Sequence, residues 1–387
     1  MKPTHFLLPA ALTLSALLAG CSGNVEPQYP PKALQDFSPS ATLDERWSAS
    51  VGDGLGRARY PLMPLLADGT LYAADADGLL RAFDADSGDT RWEVRFDTPL
   101  SSGMTNDSAR LYAGTRNGEV IAIDRDDGSE AWRARVSSEV LAAPQVNSEL
   151  VVVQSADGTV TALDRLSGEE EWTYSSSQPS LTLRGTGTPR VIEPVSFVGF
   201  ANGRLVTLDN RSGQPLWDMR VAVPQGRTEV DRLVDLDGQP VLSPDGRLFV
   251  TSYNGRVMAL EATSGEVIWS RDESSYLTPL RVGNYLFTVN EASHVLALDV
   301  DSGRVLWESD ALEGRDLTAP AFVDGKLALG DYQGYVHLLD ATDGSVVGRT
   351  ELGGDGISVP LLADSQRLYT LANDGELAAY DVETVDD

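Results

Sequence analysis

A pattern with a period near 40 residues, repeated eight times, leaves this chain few ways to fold. Its core reads N/D-G-x-φ-x-A-φ-D-x-x-S/T-G-x-x-x-W, with φ apolar, and begins with DGLLRAFDADSGDTRW at 77–92 and NGEVIAIDRDDGSEAW at 117–132. DGTVTALDRLSGEEEW (157–172), NGRLVTLDNRSGQPLW (202–217) and NGRVMALEATSGEVIW (254–269) follow, the last with Glu261 in place of Asp. ASHVLALDVDSGRVLW (292–307) lacks the leading glycine, QGYVHLLDATDGSVVG (333–348) ends in Gly348 rather than Trp, and DGELAAYDVETVDD from 374 stops before its Trp. The central acids fall at 84, 124, 164, 209, 261, 299, 340 and 381. Alternating apolar positions between turn-forming pairs mark strands, and N-G or D-G supplies the positive φ that a tight hairpin needs. Repeats of this length built from short strands are propeller blades.

Eight units predict an all-β fold, an eight-bladed propeller with four-stranded antiparallel blades; seven blades is the competing count. In unit two, RLYAGTRNG, EVIAID and EAWRARV supply three strands, and the innermost is expected around 101–106. Trp47, in LDERWSA, precedes the first unit with no Asp-Gly element ahead of it. It is expected to bring the outer strand that the eighth unit lacks, which removes an open sheet edge. Residues that recur once per blade read as structural. Asp84, Asp124 and their equivalents are turn formers, and the tryptophans pack between neighbouring blades.

Residues 1–21, MKPTHFLLPAALTLSALLAGC, read as a signal: Lys2 gives the positive start, and 6–18 form an apolar run short of a membrane span. Leu18-Ala19-Gly20-Cys21 matches the bacterial lipoprotein box. Cleavage before Cys21 and acylation there, palmitate included, are therefore expected; an ordinary signal with an incidental Cys is the alternative. Ser22 in the next position favours sorting to the outer membrane. The domain reading is a signal peptide at 1–20, lipidated Cys21 with a flexible proline-rich tether through 42, and a propeller at 43–387. The tether would reach about 50–60 Å at ~3 Å per residue. With 30 basic residues against 58 acidic ones the net charge is −28, which repels phosphate and argues against a nucleic-acid partner. One Cys and three His exclude a disulfide framework and multi-cysteine zinc sites.

The repeat is broken in two places. From Trp to the next turn Gly takes 26 residues in units one and two, but 31 from Trp172 to Gly203 and 38 from Trp217 to Gly255. Both expansions follow the outer strands of consecutive blades, so they should emerge side by side on one face, where loops on a rigid scaffold carry function. The first contains SLTLRGTGTPR (180–190), with Leu181, Leu183 and Arg184; the second reads PQGRTEVDRLVDLDG (224–238), with Asp235 and Asp237 flanking Leu236. Two readings stand open. The loops form a protein-binding anchor whose carboxylates pair with a partner's basic groups or with Arg184, or the leucines fold back as a satellite core and Asp237-Gly238 is a turn. No G-x-S-x-G, H-E-x-x-H or phosphate-binding Gly-Lys motif occurs. His294 and His337 sit within repeat strands, and Arg135 stands where a calcium loop beginning at Asp124 would need Glu. The residues thus mark no catalytic, cofactor or metal site.

The A-φ-D-x-x-S/T-G-x-x-x-W core resembles the tryptophan repeat of quinoprotein dehydrogenases over nearly the whole chain after the tether. That resemblance implies the propeller fold and, as an alternative function, a lipid-anchored pyrroloquinoline-quinone-dependent dehydrogenase. Such enzymes often carry adjacent cysteines and a cation beside a catalytic Asp; the sole Cys here is at the anchor. The lipobox, tether, eight degenerate repeats and two loops together resemble more closely the BamB family of outer-membrane lipoproteins. The specific likeness lies in L-x-L-R-G at 181–185 and E-V-D-R-L-V-D-L-D at 229–237. It implies a non-catalytic scaffold without cofactor, facing the periplasm, that docks the POTRA domains of BamA. Other Bam subunits and unfolded outer-membrane protein clients would be further partners. On this resemblance Leu181, Leu183 and Arg184 form the anchor, Asp235 and Asp237 support the same surface, and Cys21 carries the lipid.

Overall fold

The computed structural model describes residues 28–183, 186–365 and 367–385. Its strands form eight antiparallel four-stranded sheets, the blades of a propeller. In blade two, Leu100–Asn106, Arg110–Thr115, Glu119–Asp124 and Glu130–Arg135 pair in that order, from the innermost strand to the outermost. The middle strands of each blade are buried on both faces, as in Leu150–Gln154, whereas outer strands such as Glu170–Ser175 are largely exposed. Burial on both faces follows from stacking. One core cluster joins Val152 and Trp172 of blade three to Val198 and Leu208 of blade four, and another joins Leu205 to Leu248 and Met258 of blade five.

The recurring residues explain the recurring geometry. Gly78, Gly118, Gly158 and Gly203 turn the inner hairpins with φ between +73° and +96°. In blade five Asn254 takes the left-handed conformation instead (φ 45°), with its side-chain amide donating to the Leu233 carbonyl (3.1 Å); in blade six it is Ser293 (φ 66°). Six of the eight central acids, Asp84, Asp124, Asp164, Asp209, Asp299 and Asp340, close the next turn with their side chains. Asp164 Oδ1, for example, accepts the N–H groups of Leu166 and Ser167 and the Ser167 hydroxyl, and Asp299 accepts from Ser302 in the same way.

Each tryptophan latches one blade to its neighbour. Trp92 Nε1 donates to the Arg125 carbonyl (2.9 Å), Trp132 to Arg165 (3.1 Å) and Trp172 to Asn210 (2.7 Å), and the series continues through Trp307 to Ala341 (3.1 Å). The ring lies flat on the turn glycine of that neighbour: a Cβ on Gly128 would stand 2.7 Å from the Trp92 ring. The ring of blades is closed by Ala41–Ser50, which pairs antiparallel with Glu376–Thr384 and sets Trp47 opposite Ala379. Trp47 then latches blade eight to blade one through the Ala85 carbonyl (3.1 Å).

The seam between blades seven and eight has no latch. Gly348 stands in the tryptophan position, and the Ala41 carbonyl occupies the space where its Cβ would be (2.6 Å). The Ser40 N–H also donates to the Val347 carbonyl (3.0 Å). Residues 28–40, ahead of that strand, lie along blades six and seven. Lys32 pairs with Asp310 (2.7 Å) and Glu313 (2.9 Å), and its N–H donates to the Glu313 carbonyl (2.9 Å). Arg349 donates to the Gln35 carbonyl (3.1 Å) and sits 5.0 Å from the centre of the Phe37 ring.

Candidate docking site on the loop face

The two expanded connections meet. The Leu183 N–H, in the connection from blade three to blade four, donates to Asp235 Oδ1 (2.9 Å) in the connection from blade four to blade five. The Leu236 carbonyl packs against the backbone at Gly187 and Gly199, where any Cβ would stand within 2.5–2.7 Å of it. Ahead of these anchor points the second connection makes one 3₁₀ turn, Val230–Arg232, braced by the Asp231 carboxylate accepting the Arg227 and Thr228 N–H groups.

The leucines divide. Leu236 folds inward to the core of blades four and five, Leu183 is half-buried, and Leu181 remains 42% exposed at the loop crest. Leu236 thus packs as core, whereas Leu181 stays open to solvent. Arg184 and Gly185 lie outside the described residues, as does Cys21.

Asp237 is half-buried beside the more enclosed Asp235. Asp235 is buried, one oxygen holding Leu183 and the other without a partner among the described residues. Burial pushes its carboxyl up to about 6. Asp237 is raised too, by burial first and then by the neighbouring charge of Asp235. Among the described residues no cationic side chain offsets either shift.

A cavity of about 490 Å³ opens beside them, lined by Gln28, Tyr29, Leu183, Asp237, Tyr253, Tyr276 and Glu291. Tyr253 comes from the inner hairpin of blade five and Tyr276 from the connection to blade six; their ring centres are 6.3 Å apart at 60°. The Tyr29 hydroxyl donates to Glu291 (2.9 Å), and the Tyr276 hydroxyl to Asp316 (3.3 Å). These tyrosines escaped the sequence reading. The one signal was an aromatic residue directly ahead of the Asn-Gly turn in TSYNG, and Tyr29 falls in the stretch read as tether.

The histidines lie elsewhere. His337 is buried in blade seven against Asp331 (2.8 Å), its basicity lowered by burial, and His294 pairs with Glu308 at the rim (3.0 Å). Among the described residues no group of three or more His, Cys, Asp or Glu side chains is arranged to hold a metal ion. An exposed leucine, an aromatic-walled cavity and two strained carboxylates suit recognition of another macromolecule.

Comparison with known proteins agrees with this architecture. A family model described as outer membrane protein assembly factor BamB matches residues 41–95, 76–309 and 292–386. The BamB protein of Pseudomonas aeruginosa is 46% identical over 373 residues, covering 96% of this chain and 98% of the relative. That of Escherichia coli K12 is 34% identical over 391 aligned positions, covering 97% and 98%. The crystal structure of BamB from Moraxella catarrhalis superposes with a TM-score of 0.80 at 26% identity, covering 88% of this chain and 99% of that one. The quinohemoprotein alcohol dehydrogenase of Comamonas testosteroni shares the fold at a TM-score of 0.69 but only 13% identity. With a family model and close relatives spanning nearly its whole length, this chain belongs to the outer membrane protein assembly factor BamB family.

Proposed function

We propose that this protein is a non-catalytic scaffold for β-barrel assembly, held at the outer membrane by a lipid on Cys21 and facing the periplasm. It docks the POTRA domains of BamA through Leu181, Leu183 and Arg184, with Asp235 and Asp237 supporting that surface. Family membership supports the assembly role. The observation that carries direct docking is the bond between the Leu183 N–H and buried Asp235: it ties two loops into one surface and leaves Leu181 exposed at its crest. An exposed apolar side chain on a rigid rim beside a pocket is the anatomy of an interface anchor.

The dehydrogenase reading has less support. The quinohemoprotein neighbour shares only the fold, at 13% identity, whereas a BamB relative reaches 46% identity over nearly the whole chain.

Calorimetric titration of the full chain in detergent with the POTRA segment of BamA tests docking. Wild type should bind, and Leu181→Asp and Arg184→Glu should each weaken binding ~10-fold or more, with circular dichroism unchanged. Raised salt should weaken the charged part of the contact. No binding by wild type at low salt would overturn the direct contact.

A further inference from the structure

The cavity beside Leu183 combines three tyrosine rings, Tyr29, Tyr253 and Tyr276, with the carboxylates of Asp237 and Glu291. Glu291 already accepts from Tyr29 (2.9 Å) and Ser274 (3.0 Å), which fixes the wall on that side. Among the described residues no hydrogen-bond donor and no cation acts on Asp237. Aromatic faces carry negative potential, so rings and an unneutralised carboxylate together favour a positive group on an apolar stem. An anion would be repelled, and a purely apolar group would strip water from Asp237 without compensation.

Tyr29 reaches this cavity because the segment preceding the first strand is seated rather than free. The Tyr29 and Pro30 carbonyls lie 2.5–2.8 Å from where a Cβ on Gly314 would project, so the bare glycine is what admits the segment. Lys32 then bridges Asp310 and Glu313, and Arg349 holds Gln35 and Phe37.

We propose that the cavity is a socket for an arginine or lysine side chain of the docked partner, and that Tyr29, delivered by the seated segment, forms one of its walls. This rests on the docking reading above and adds to it the chemistry of the partner's group. It also assigns the segment before the propeller a part in recognition. Entry of a cation favours ionised Asp237, which in the empty socket is held toward its protonated form by burial and by Asp235. Glu291, Tyr29, Tyr253 and Tyr276 also face the site, and Asp316 stands behind Tyr276. Binding should therefore release a proton, and affinity should rise with pH.

The test compares wild type with Tyr29→Ala, Tyr29→Phe, Lys32→Glu, Asp237→Asn and Leu181→Asp, all as full chains in detergent, titrated with the BamA POTRA segment in phosphate and in Tris. Tyr29→Ala should weaken binding ~5–10-fold, as expected for loss of one cation–π wall, while Tyr29→Phe keeps the ring and stays within about threefold. Lys32→Glu sets a third carboxylate beside Asp310 and Glu313, unseats the segment and should match Tyr29→Ala. Wild-type heats should differ between the two buffers because of proton release, and Asp237→Asn should abolish that difference. If Leu181→Asp abolishes binding but Tyr29→Ala and Lys32→Glu bind as wild type does, the socket is overturned and docking stands. If wild type does not bind at all, it is the docking reading that fails.

Discussion

Asp235 sits where a carboxylate is disfavoured, and the cost has a definite sign. Unfolded, it ionises near 3.8; folded, only near 6. The unfolded chain therefore gives up this proton first, so stability falls as pH rises from about 4 to about 6, and the full cost persists above that window. Asp235→Asn keeps an oxygen for the Leu183 N–H and removes the charge. It should raise stability by about 1–3 kcal/mol at pH 7.5 and leave it nearly unchanged at pH 4, measured by urea denaturation at both values. An equal gain at the two pH values would show that the cost is not one of ionisation. A residue retained at such cost suggests selection for something other than stability, in keeping with a place at an interface. The sequence exposed this residue and Asp237 because extra residues in a constant period are easy to see. It did not expose their burial or their neighbours. Tyr253 looks like any residue ahead of an Asn-Gly turn, and Tyr29 lies more than 200 positions from the turn it meets; only closure of the ring of blades brings the two together.

Among elements, the blade-to-blade latch is the repeated unit of stability, and its single omission tests what the repeat is for. A tryptophan ring on a turn glycine, plus one bond to a carbonyl, joins seven of the eight seams. At the remaining seam the Ala41 backbone takes the place of the ring, against Gly348. Restoring the repeat with Gly348→Trp should therefore destabilise the protein, by about 1–3 kcal/mol from overpacking. Hydrogen exchange should show the loosening first in Ala41–Ser50. Stabilisation by this substitution would mean that the seam has room for a latch after all. Most of the fold was legible because every blade reuses one turn chemistry, and Trp47 announced the closing strand by matching a gap in that series. The missing latch was legible in Gly348, but its replacement was not, since backbone rather than a side chain fills the seam. Nor was the seating of residues 28–40. Four prolines in 22–42 read as a free tether, and the residues that hold the segment, Glu291, Asp310, Glu313 and Arg349, belong to strands and turns more than 250 positions away with no periodic mark.

At the scale of the whole molecule, the seated segment decides how far the propeller can stand from a membrane. With a lipid on Cys21, residues 22–27 alone separate the anchor from the first seated residues. Seven peptide steps span at most about 25 Å, less than half the reach of the whole segment when free, which is about 60 Å at ~3 Å per residue. The rim at blades five and six, which carries the socket, would then be the part of the disc held nearest the bilayer. A partner docked there would stand close to the membrane into which barrels insert, with its position set by geometry rather than by a loose leash. Neutron reflectometry of the lipidated chain on a supported bilayer should show a gap between membrane and protein of no more than about 25 Å. Lys32→Glu combined with Tyr29→Ala removes the clamps at the membrane end of the segment, and the protein layer should move outward and broaden toward the longer reach. A wild-type gap near 50 Å, or the same narrow gap in both proteins, would show that the seated segment does not set the distance.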